Sequence, residues 1–482
     1  MCQSERRDPA EGGIMGRRAL GVAFAAFAPL LLVANGSAGS SEPAPPHIAP
    51  DHGLTASIER LRGGGIVAAV ERLRVAGPAG WTAPQDQVLN FQVLGHSDLG
   101  GGGFNADVWL HGTTAFVGVW GRDPVEGIPC PATGVKVVDI ADPTTPVLVS
   151  VLQNPELTTA EDVVVRTVAT PYFTGDLAVV GIQSCGGYRD VFRGLQFYDV
   201  TNPAAPVQLG QWEVVRPTMG CHEVDLVQTP AGRVLAACST PFAEQYDAGE
   251  PLAIIDATNP LAPVKVSTFT DTLQIGVGCY SLSFAHSPRF AQNGRRLYVS
   301  YWDAGTIELD ISNPANPIFV NRTQLLLDED RDNHSMTEVG GRWMIINPED
   351  FSPNVCGPSS GGWGEAWLYQ RRNGQTRFRG TFATPNSQST RTDGIYTVHN
   401  TEVWGTNQAF SSWYTDGIRW WQFSKTGQTR EHGYFLPPAV PDPNGYWPTE
   451  VLIWGVAISP DLDLVLASDI NGGLYILRPI GL

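Results

Sequence analysis

The sequence predicts an all-β protein, a seven-bladed β-propeller in which an N-terminal strand closes the last blade. Three observations lead to this prediction. From about residue 87 the chain consists of short β-branched and aromatic runs separated by Gly, Pro, Asn and Asp, which is typical of strands and turns. A strand–corner–strand motif recurs there every 54–60 residues, and a repeat of that length indicates propeller blades. No long stretch after residue 87 has the apolar period of a helix.

The repeated motif has the same chemistry in four places. An Asp ends a short apolar run, an Asp or Asn follows three residues later, and prolines stand directly after it and three positions further on. Asx side chains bond nearby backbone amides and proline presets φ, so the motif predicts a tight corner at which both flanking strands stop. The copies are GVKVVDIADPTTPVLVS (134–150), GLQFYDVTNPAAPVQLG (194–210), PLAIIDATNPLAPVKVS (251–267) and GTIELDISNPANPIFVN (305–321).

Hairpins before these corners, and weaker units after them, bring the number of predicted blades to seven. The last unit, from Glu450, has three predicted strands and no outer strand before the chain ends. The segment QVLNFQVLG (87–95) has the pattern of that outer strand. We therefore expect it to complete the last blade and to leave no sheet edge open at the closure.

The four corner segments resemble the LVIVD repeat of exported bacterial and archaeal β-propeller proteins. SSWYTDGIRWW (411–421) and WGVAISPDLDLVLASDINGGLYIL (454–477) are also similar to the closing blades of that family. The resemblance extends over residues 87–480 and implies the propeller fold and export. The family has no established common activity, so the resemblance implies no catalytic residues.

The N-terminal part of the chain is predicted to be a targeting region. Within residues 1–38, the basic segment MGRR, which begins at Met15, precedes the apolar run ALGVAFAAFAPLLLVA, as in a secretory signal peptide. Met15 is therefore an alternative start. Residues 39–86 are expected to be a linker with a short helix, and residues 87–482 the propeller. We expect a secreted protein, extracellular or at the cell surface, with no membrane insertion in its mature form.

The charge of the chain limits its partners. A formal net charge of −17 repels phosphate backbones, so no nucleic acid is expected as a ligand. The protein is expected to be a monomer that binds a protein, peptide or glycan through its rim loops, because long loops on a rigid scaffold commonly carry recognition. These loops are predicted at 120–134, 184–194, 240–250 and 350–364.

The cysteines predict disulfide bonds. Six remain after the targeting region, namely Cys130, Cys185, Cys221, Cys238, Cys279 and Cys356. An even number in an exported chain favours disulfides, and the repeat register favours the pairs Cys130–Cys185 and Cys221–Cys279. Free, buried thiols are the alternative.

A histidine pattern predicts a site in the central channel. His222, His334 and His399 stand at corresponding places, where the inner strands of blades three, five and six are predicted to begin. The other predicted starts are Asn105 and Asp107, Glu161 and Asp162, Ser281, and a position near Trp454. Inner strands surround the channel, so these side chains should converge. Three imidazoles with a carboxylate from Glu223 or Glu402 would suit copper, zinc or iron. The alternative is a polar channel lining that holds water.

Two classes of function follow from these observations. The first is a binding module that uses the channel mouth and the rim loops. The second is a metal-dependent oxidoreductase or hydrolase with the three-histidine site, for which catalytic residues are not assigned and no organic cofactor is expected. A weaker pattern, Asp328, Asp330 and Asp332 at alternating positions, could present oxygen ligands to Ca²⁺, or could be a solvated acidic loop.

Overall fold

The computed structural model describes residues 87–121, 133–185, 191–214, 219–241, 250–271, 283–324, 332–351 and 362–482. Contacts divide the chain into the units Met1–His47 and Ile48–Leu482. The first unit, and with it the predicted signal peptide, lies outside the described residues, as do the predicted linker and short helix. No helix in the described part of the chain is long and apolar enough to cross a membrane.

The second unit contains seven antiparallel sheets, each forming one blade. Blade one consists of β3 (Asn105–His111), β4 (Thr114–Val119), β5 (Val135–Asp139) and β6 (Val147–Leu152). Blade two consists of β7 (Thr158–Thr159), β8 (Val163–Ala169), β9 (Thr174–Ser184), β10 (Gly194–Asp199) and β11 (Val207–Glu213). Blade three consists of β12 (Val224–Gln228), β13 (Val234–Ser239), β14 (Leu252–Asp256) and β15 (Val264–Phe269). Within these three blades the order from the channel outward follows the chain, except that β7 pairs with β9 at one end of blade two.

The remaining blades have the same plan. Blade four consists of β16 (Ser287–Ala291), β17 (Arg296–Ser300), β18 (Thr306–Asp310) and β19 (Ile318–Arg322), and blade five of β20 (Asn333–Val339), β21 (Trp343–Pro348), β22 (Ala366–Arg372) and β23 (Gln375–Phe382). Blade six consists of β24 (Thr401–Trp404), β25 (Gln408–Ser412), β26 (Ile418–Phe423) and β27 (Thr429–Leu436). Blade seven contains β28 (Ile453–Ser459), β29 (Leu464–Asp469) and β30 (Gly473–Pro479). The predicted all-β, seven-bladed propeller is confirmed.

The N-terminal segment closes the ring, as predicted, and does so twice. Strand β2 (Phe91–Ser97) pairs with β30 and becomes the outer strand of blade seven. Strand β1 (Gln87–Leu89) pairs with β27 and adds a fifth strand to blade six. The first two described strands thus join the last two blades, so the edges of both β27 and β30 are covered.

The repeated motif forms two consecutive Asx turns between the third and fourth strands. In blade one, Asp139 accepts the backbone N–H of Ala141 at 2.9 Å, and Asp142 accepts that of Thr144 at 3.0 Å. The same two bonds close the other repeated corners, with Asp199 and Asn202, Asp256 and Asn259, and Asp310 and Asn313 as acceptors. The corner motif recurs in these blades because each Asx side chain satisfies one backbone N–H group of the corner.

The corners also join neighbouring blades. Ser150 of β6 donates its hydroxyl to the carbonyl oxygen of Pro203, in the corner of the next blade, at 2.5 Å. At the equivalent place in β11, a Cβ added to Gly210 would lie 2.4 Å from the carbonyl oxygen of Pro260. A small residue is required there because the outer strand of one blade touches the corner of the next.

The core lies between the faces of adjacent blades. In the layer between blades six and seven, for example, Phe410 and Trp420 pack with Ile453 and Val465, and all four are fully buried. Stacked sheets bury both faces of the middle strands, which explains why strands such as β4, β13 and β14 are almost continuously apolar.

One predicted disulfide is wrong. Cys221 is bonded to Cys238, not to Cys279. Cys238 lies in β13 opposite Val224 of β12, so the bond links two parts of one hairpin instead of two blades. Cys185 is also disulfide-bonded; its predicted partner, Cys130, lies outside the described residues, and that pairing stays a prediction.

Substitution Gly210→Ala should lower the free energy of unfolding by about 1–3 kcal/mol, because the new methyl group overlaps a backbone carbonyl that cannot move without shifting the next blade. Urea unfolding measures the change. Gly102→Ala is the matched control, since a Cβ at Gly102 meets nothing within 4 Å. Equal stability of the two variants would contradict the close contact between blades.

Substitution Cys238→Ser should lower the free energy of unfolding by about 3 kcal/mol, because the bond closes a loop with a sequence separation of 17 residues. Cys221→Ser and the double variant should show the same loss, since all three remove one bond. Thermal unfolding without reductant makes the comparison. A silent Cys238→Ser with a destabilised Cys221→Ser would restore the rejected pairing.

Candidate metal centre

Four histidines lie in a row where the inner strands begin. His222, His286 and His399 lie one or two residues before the inner strands of blades three, four and six, and His334 is the second residue of the blade-five strand β20. Neighbouring ring centroids are 4.6 Å, 4.2 Å and 4.1 Å apart. The side chains of the last three histidines are at most 2% exposed, whereas that of His222 is 13% exposed.

Two glutamates face this row. Oε1 of Glu223 is 3.7 Å from Nδ1 of His286 and 3.6 Å from Nε2 of His334. Glu349 follows β21 and lies between the next pair, with Oε2 3.8 Å from Nε2 of His334 and Oε1 3.7 Å from Nε2 of His399. Each glutamate therefore lies next to the imidazoles of two histidines.

Polar partners hold the outer members of the group. Nδ1 of His222 is 2.5 Å from Oε2 of Glu161 and 3.0 Å from Oε1 of Gln183. The hydroxyl of Tyr414 donates a hydrogen bond to Oε1 of Glu349. Such partners fix the ring or carboxylate that they bind, which is the usual role of groups behind a metal ligand.

Aromatic side chains pack against the row of histidines. The second strand of each blade runs back to the face where the inner strand begins, so the residues after it lie beside the histidines. Trp302 follows β17, and its ring centroid is 5.2 Å from that of His286. Tyr414 follows β25 and is 5.4 Å from His399, which also lies 4.9 Å from Trp454. These rings exclude water from the group.

Burial controls the protonation of the group. It lowers the pKa of all four imidazoles, in His399 to about 3, so each ring is neutral at physiological pH. Burial also raises the pKa of Glu161, Glu223 and Glu349 well above the usual range of a glutamate. These shifts favour the protonated form of the three carboxyls, and a neutral carboxyl beside a neutral imidazole is not an ion pair.

Several donor atoms of the group lack a partner. Both oxygens of Glu223, Nδ1 of His334 and Nε2 of His399 are buried without a hydrogen bond to any described residue. Buried polar atoms are normally paired. Neutral imidazoles and glutamates in sets of three, Glu223–His286–His334 and His334–Glu349–His399, have donor atoms within 4.8 Å of one another and could hold a metal ion.

The sequence-predicted site residues are only partly together. His222, His334, His399 and Glu223 lie in the group, as described above. Glu402 does not: it lines a cavity of about 20 Å³ further along the channel with Asp107, Asp162 and Arg289. Burial opposes the charge of Arg289, but the carboxylates of Glu223, Asp225, Asp162 and Glu402 outweigh it and raise the pKa of the guanidinium. The cavity has room for about one water molecule.

Two members of the group were missed in the sequence. The start of blade four was expected at Ser281, which lies outside the described residues, but the inner strand begins at Ser287 and His286 takes the channel position. The dipeptide His–Ser occurs at His286 and at His334, but it also occurs at His96, outside the group, so it gave only a weak signal. Glu349 belongs to no repeat pattern, and no sequence signal indicates it.

Some sequence expectations fall on residues that are not described. Of the acidic pattern proposed for Ca²⁺, Asp328 and Asp330 lie outside the described residues, and Asp332 is buried. Most of the four predicted rim loops also lies outside them. The Ca²⁺ site and ligand binding by the rim stay predictions.

Comparison with known proteins supports the repeat and the fold. The family model of the LVIVD repeat matches residues 132–153 and 293–324, which include the corners of blades one and four. No curated protein matches the sequence. Raptor from Chaetomium thermophilum has a similar structure, with a TM-score of 0.51 and 13% identity over 82% of this chain, but the match covers only 30% of the Raptor chain.

A second solved structure is the β-propeller domain of Cps50 (Swd1) from Myceliophteria thermophila. It gives a TM-score of 0.48 and 10% identity over 81% of this chain and 99% of that chain. At such identities a structural likeness concerns the fold and not the activity. The chain is a seven-bladed β-propeller that carries LVIVD repeats.

Proposed function

We propose that the protein is a metal-dependent enzyme that holds a divalent iron, zinc or copper ion where its channel begins. The observation that carries the proposal is the presence of buried sets of two histidines and one glutamate whose donor atoms include unpartnered ones. Two histidines and one carboxylate are the ligands of non-haem iron oxygenases and of many zinc hydrolases. An oxidoreductase or a hydrolase is therefore the expected class.

The residues around the site would position the ligands. Three protein donors leave a coordination position open, at which a bound ion would polarise a substrate or a water molecule. Glu161 and Gln183 hold His222 through its Nδ1, and Tyr414 fixes one oxygen of Glu349. The aromatic walls exclude bulk water, which strengthens every electrostatic interaction inside.

Access favours a small substrate that arrives from the face where the inner strands begin. His222 is the most exposed of the four histidines, at 13%. On the opposite side of the group, the cavity beside Arg289 has a volume of only about 20 Å³. A substrate larger than a water molecule or two cannot come from that side without displacing side chains.

The other sequence-based expectations remain proposals. The Cys221–Cys238 disulfide fits a protein that is exported to an oxidising compartment, and we propose that the protein is secreted and monomeric. Binding of a protein, peptide or glycan at the rim loops is the second candidate function, since the family that the corners resemble has no common enzymatic activity.

The mature protein, purified without chelator or affinity metal, should contain iron, zinc or copper, and Glu349→Gln should lose most of it. The amide cannot supply the anionic oxygen that faces His334 and His399. Elemental analysis measures the content. Glu402→Gln is the matched control, because Glu402 lies beside Arg289 and outside the group. A metal-free wild type that takes up none of the three ions on titration would overturn the proposal.

Metal uptake should release protons, and the affinity should rise with pH. The pKa values of Glu223 and Glu349 are raised by burial, so these carboxyls are protonated before an ion binds and ionised afterwards, whereas the imidazoles are already neutral. Calorimetry with Zn²⁺ in two buffers of different ionisation enthalpy counts the protons. Proton uptake on binding, or an affinity that falls between pH 6 and pH 8, would contradict this order of ionisation.

A further inference from the structure

We propose that the centre holds one ion, bound by Nε2 of His334, Nε2 of His399 and the carboxylate of Glu349. His222 and His286 are then not ligands but position His334. This inference rests on the proposed function and decides which residues of the group bind the ion. Two sets of donor atoms lie close enough together to hold an ion, Glu223–His286–His334 and His334–Glu349–His399. His334 belongs to both sets, so the other members decide between them.

The imidazole of His286 has a partner at each nitrogen. Its Nδ1 is 3.2 Å from the carbonyl oxygen of His334, and a carbonyl can only accept, so Nδ1 carries a hydrogen. Its Nε2 is 3.0 Å from Nε2 of His222, which is the separation of two nitrogens that share a hydrogen bond. Nδ1 is also the atom that faces Glu223. The first set therefore offers an N–H where an ion needs a lone pair.

The contacts of His222 are complete without a cation. A neutral His286 with its hydrogen on Nδ1 accepts at Nε2, so Nε2 of His222 donates and Nδ1 of His222 accepts. That Nδ1 lies 2.5 Å from Oε2 of Glu161, and burial raises the pKa of Glu161 and so favours the carboxyl form that can donate. Gln183, at the same nitrogen, can present either the oxygen or the NH₂ group of its amide.

The imidazoles of the second set stand at a distance from its carboxylate that suits an ion. Nε2 of His334 is 3.8 Å from Oε2 of Glu349, and Nε2 of His399 is 3.7 Å from Oε1. Both distances are too long for a hydrogen bond, and Nε2 of His399 has no partner among the described residues. Two donors on one tetrahedral ion, each about 2.1 Å from it, are about 3.4 Å apart. Small side-chain shifts would therefore bring all three ligands onto one ion.

A β-bulge explains why His334 needs other residues to position it. The pairing of β20 with β21 shifts register between Asn333 and Ser335, so His334, which lies between them, has no opposite residue in the ladder. A bulge re-aims a side chain and leaves the extra residue unpaired. The carbonyl oxygen of His334 accepts from Nδ1 of His286 instead. His222 holds the other nitrogen of His286, so these two histidines fix the place of the His334 ligand.

Glu223 is then a neighbour of the ion and not a ligand. Its Oε1 is 3.6 Å from Nε2 of His334, and both of its oxygens are buried without a hydrogen bond to a described residue. Three protein ligands leave a coordination position for water or a substrate. A small molecule with a hydroxyl or carbonyl oxygen at that position can bind the ion and hydrogen-bond to Glu223.

The metal content of histidine variants tests the ligand assignment. The metal-free, full-length mature protein is loaded with Zn²⁺, desalted and measured by elemental analysis. Wild type, His222→Ala and His286→Ala should each retain one equivalent, whereas His399→Ala should retain almost none. All of these substitutions remove a buried imidazole from the same row, so they are matched controls for one another.

The affinity of the same proteins tests the positioning role. Competition with a chromophoric chelator should give a Zn²⁺ dissociation constant about 10- to 100-fold higher for His286→Ala than for wild type. The visible spectrum of bound Co²⁺ should keep its shape in this variant, because its ligands are unchanged. In His286→Asn the amide N–H can again donate to the carbonyl oxygen of His334, so the affinity should return close to that of wild type.

Each result decides between the proposals. A wild type that takes up no zinc, iron or copper overturns both the proposed function and this assignment. Two equivalents in wild type, one in His399→Ala, or none in a folded His286→Ala overturns the assignment and leaves the proposed function intact. An unchanged affinity in His286→Ala overturns the positioning role. If an alanine variant does not fold, Glu349→Gln should still lose the ion and His286→Asn should still retain it, and the opposite results overturn the assignment.

Discussion

The pairing of β2 with β30 is the constraint on which the rest of the structure depends. A propeller is a ring of sheets, and its channel keeps a fixed diameter only while the first and last blades remain in contact. Residues from the beginning of the described chain supply the outer strand of the last blade, so blade seven has its fourth strand only when they are in place. Ser150 and Gly210 contact the corners of the blades that follow them, so neighbouring blades stay in contact elsewhere in the ring.

Closure brings the polar ends of distant inner strands into one buried volume. His222 and His399 are separated by 177 positions of sequence, yet they belong to one row because their strands begin on the same face. Bringing imidazoles and carboxyls out of water is unfavourable unless they are paired. In this channel the cost is lowered by neutral rings and protonated glutamates, and a bound cation would convert the same groups into ligands. The burial that makes these groups costly to take out of water would also strengthen their attraction to a bound cation.

The architecture could be predicted from the sequence because its signals are local. Each corner contains two Asx turns whose donors and acceptors lie within a few residues of one another, so the same short motif must recur wherever the corner does. The outer strand at residues 87–95 could be assigned for a similar reason, since the last blade was one strand short. The disulfide was mispredicted because the pairing was sought between blades, whereas Cys238 lies on the strand next to Cys221 within one hairpin.

The candidate site was determined only in part by the sequence. The distance from the repeated corner to the channel histidine is 23 residues between Asp199 and His222 and 24 between Asp310 and His334, which made those histidines recognisable. It is 30 residues between Asp256 and His286, because a connection between strands can lengthen without changing the fold. Glu349 comes from the end of a second strand, and Glu402 points into a different part of the channel. Local turn chemistry thus determined the blades, and only the closed ring decided which side chains meet, since their meeting depends on strand ends that are far apart in the chain.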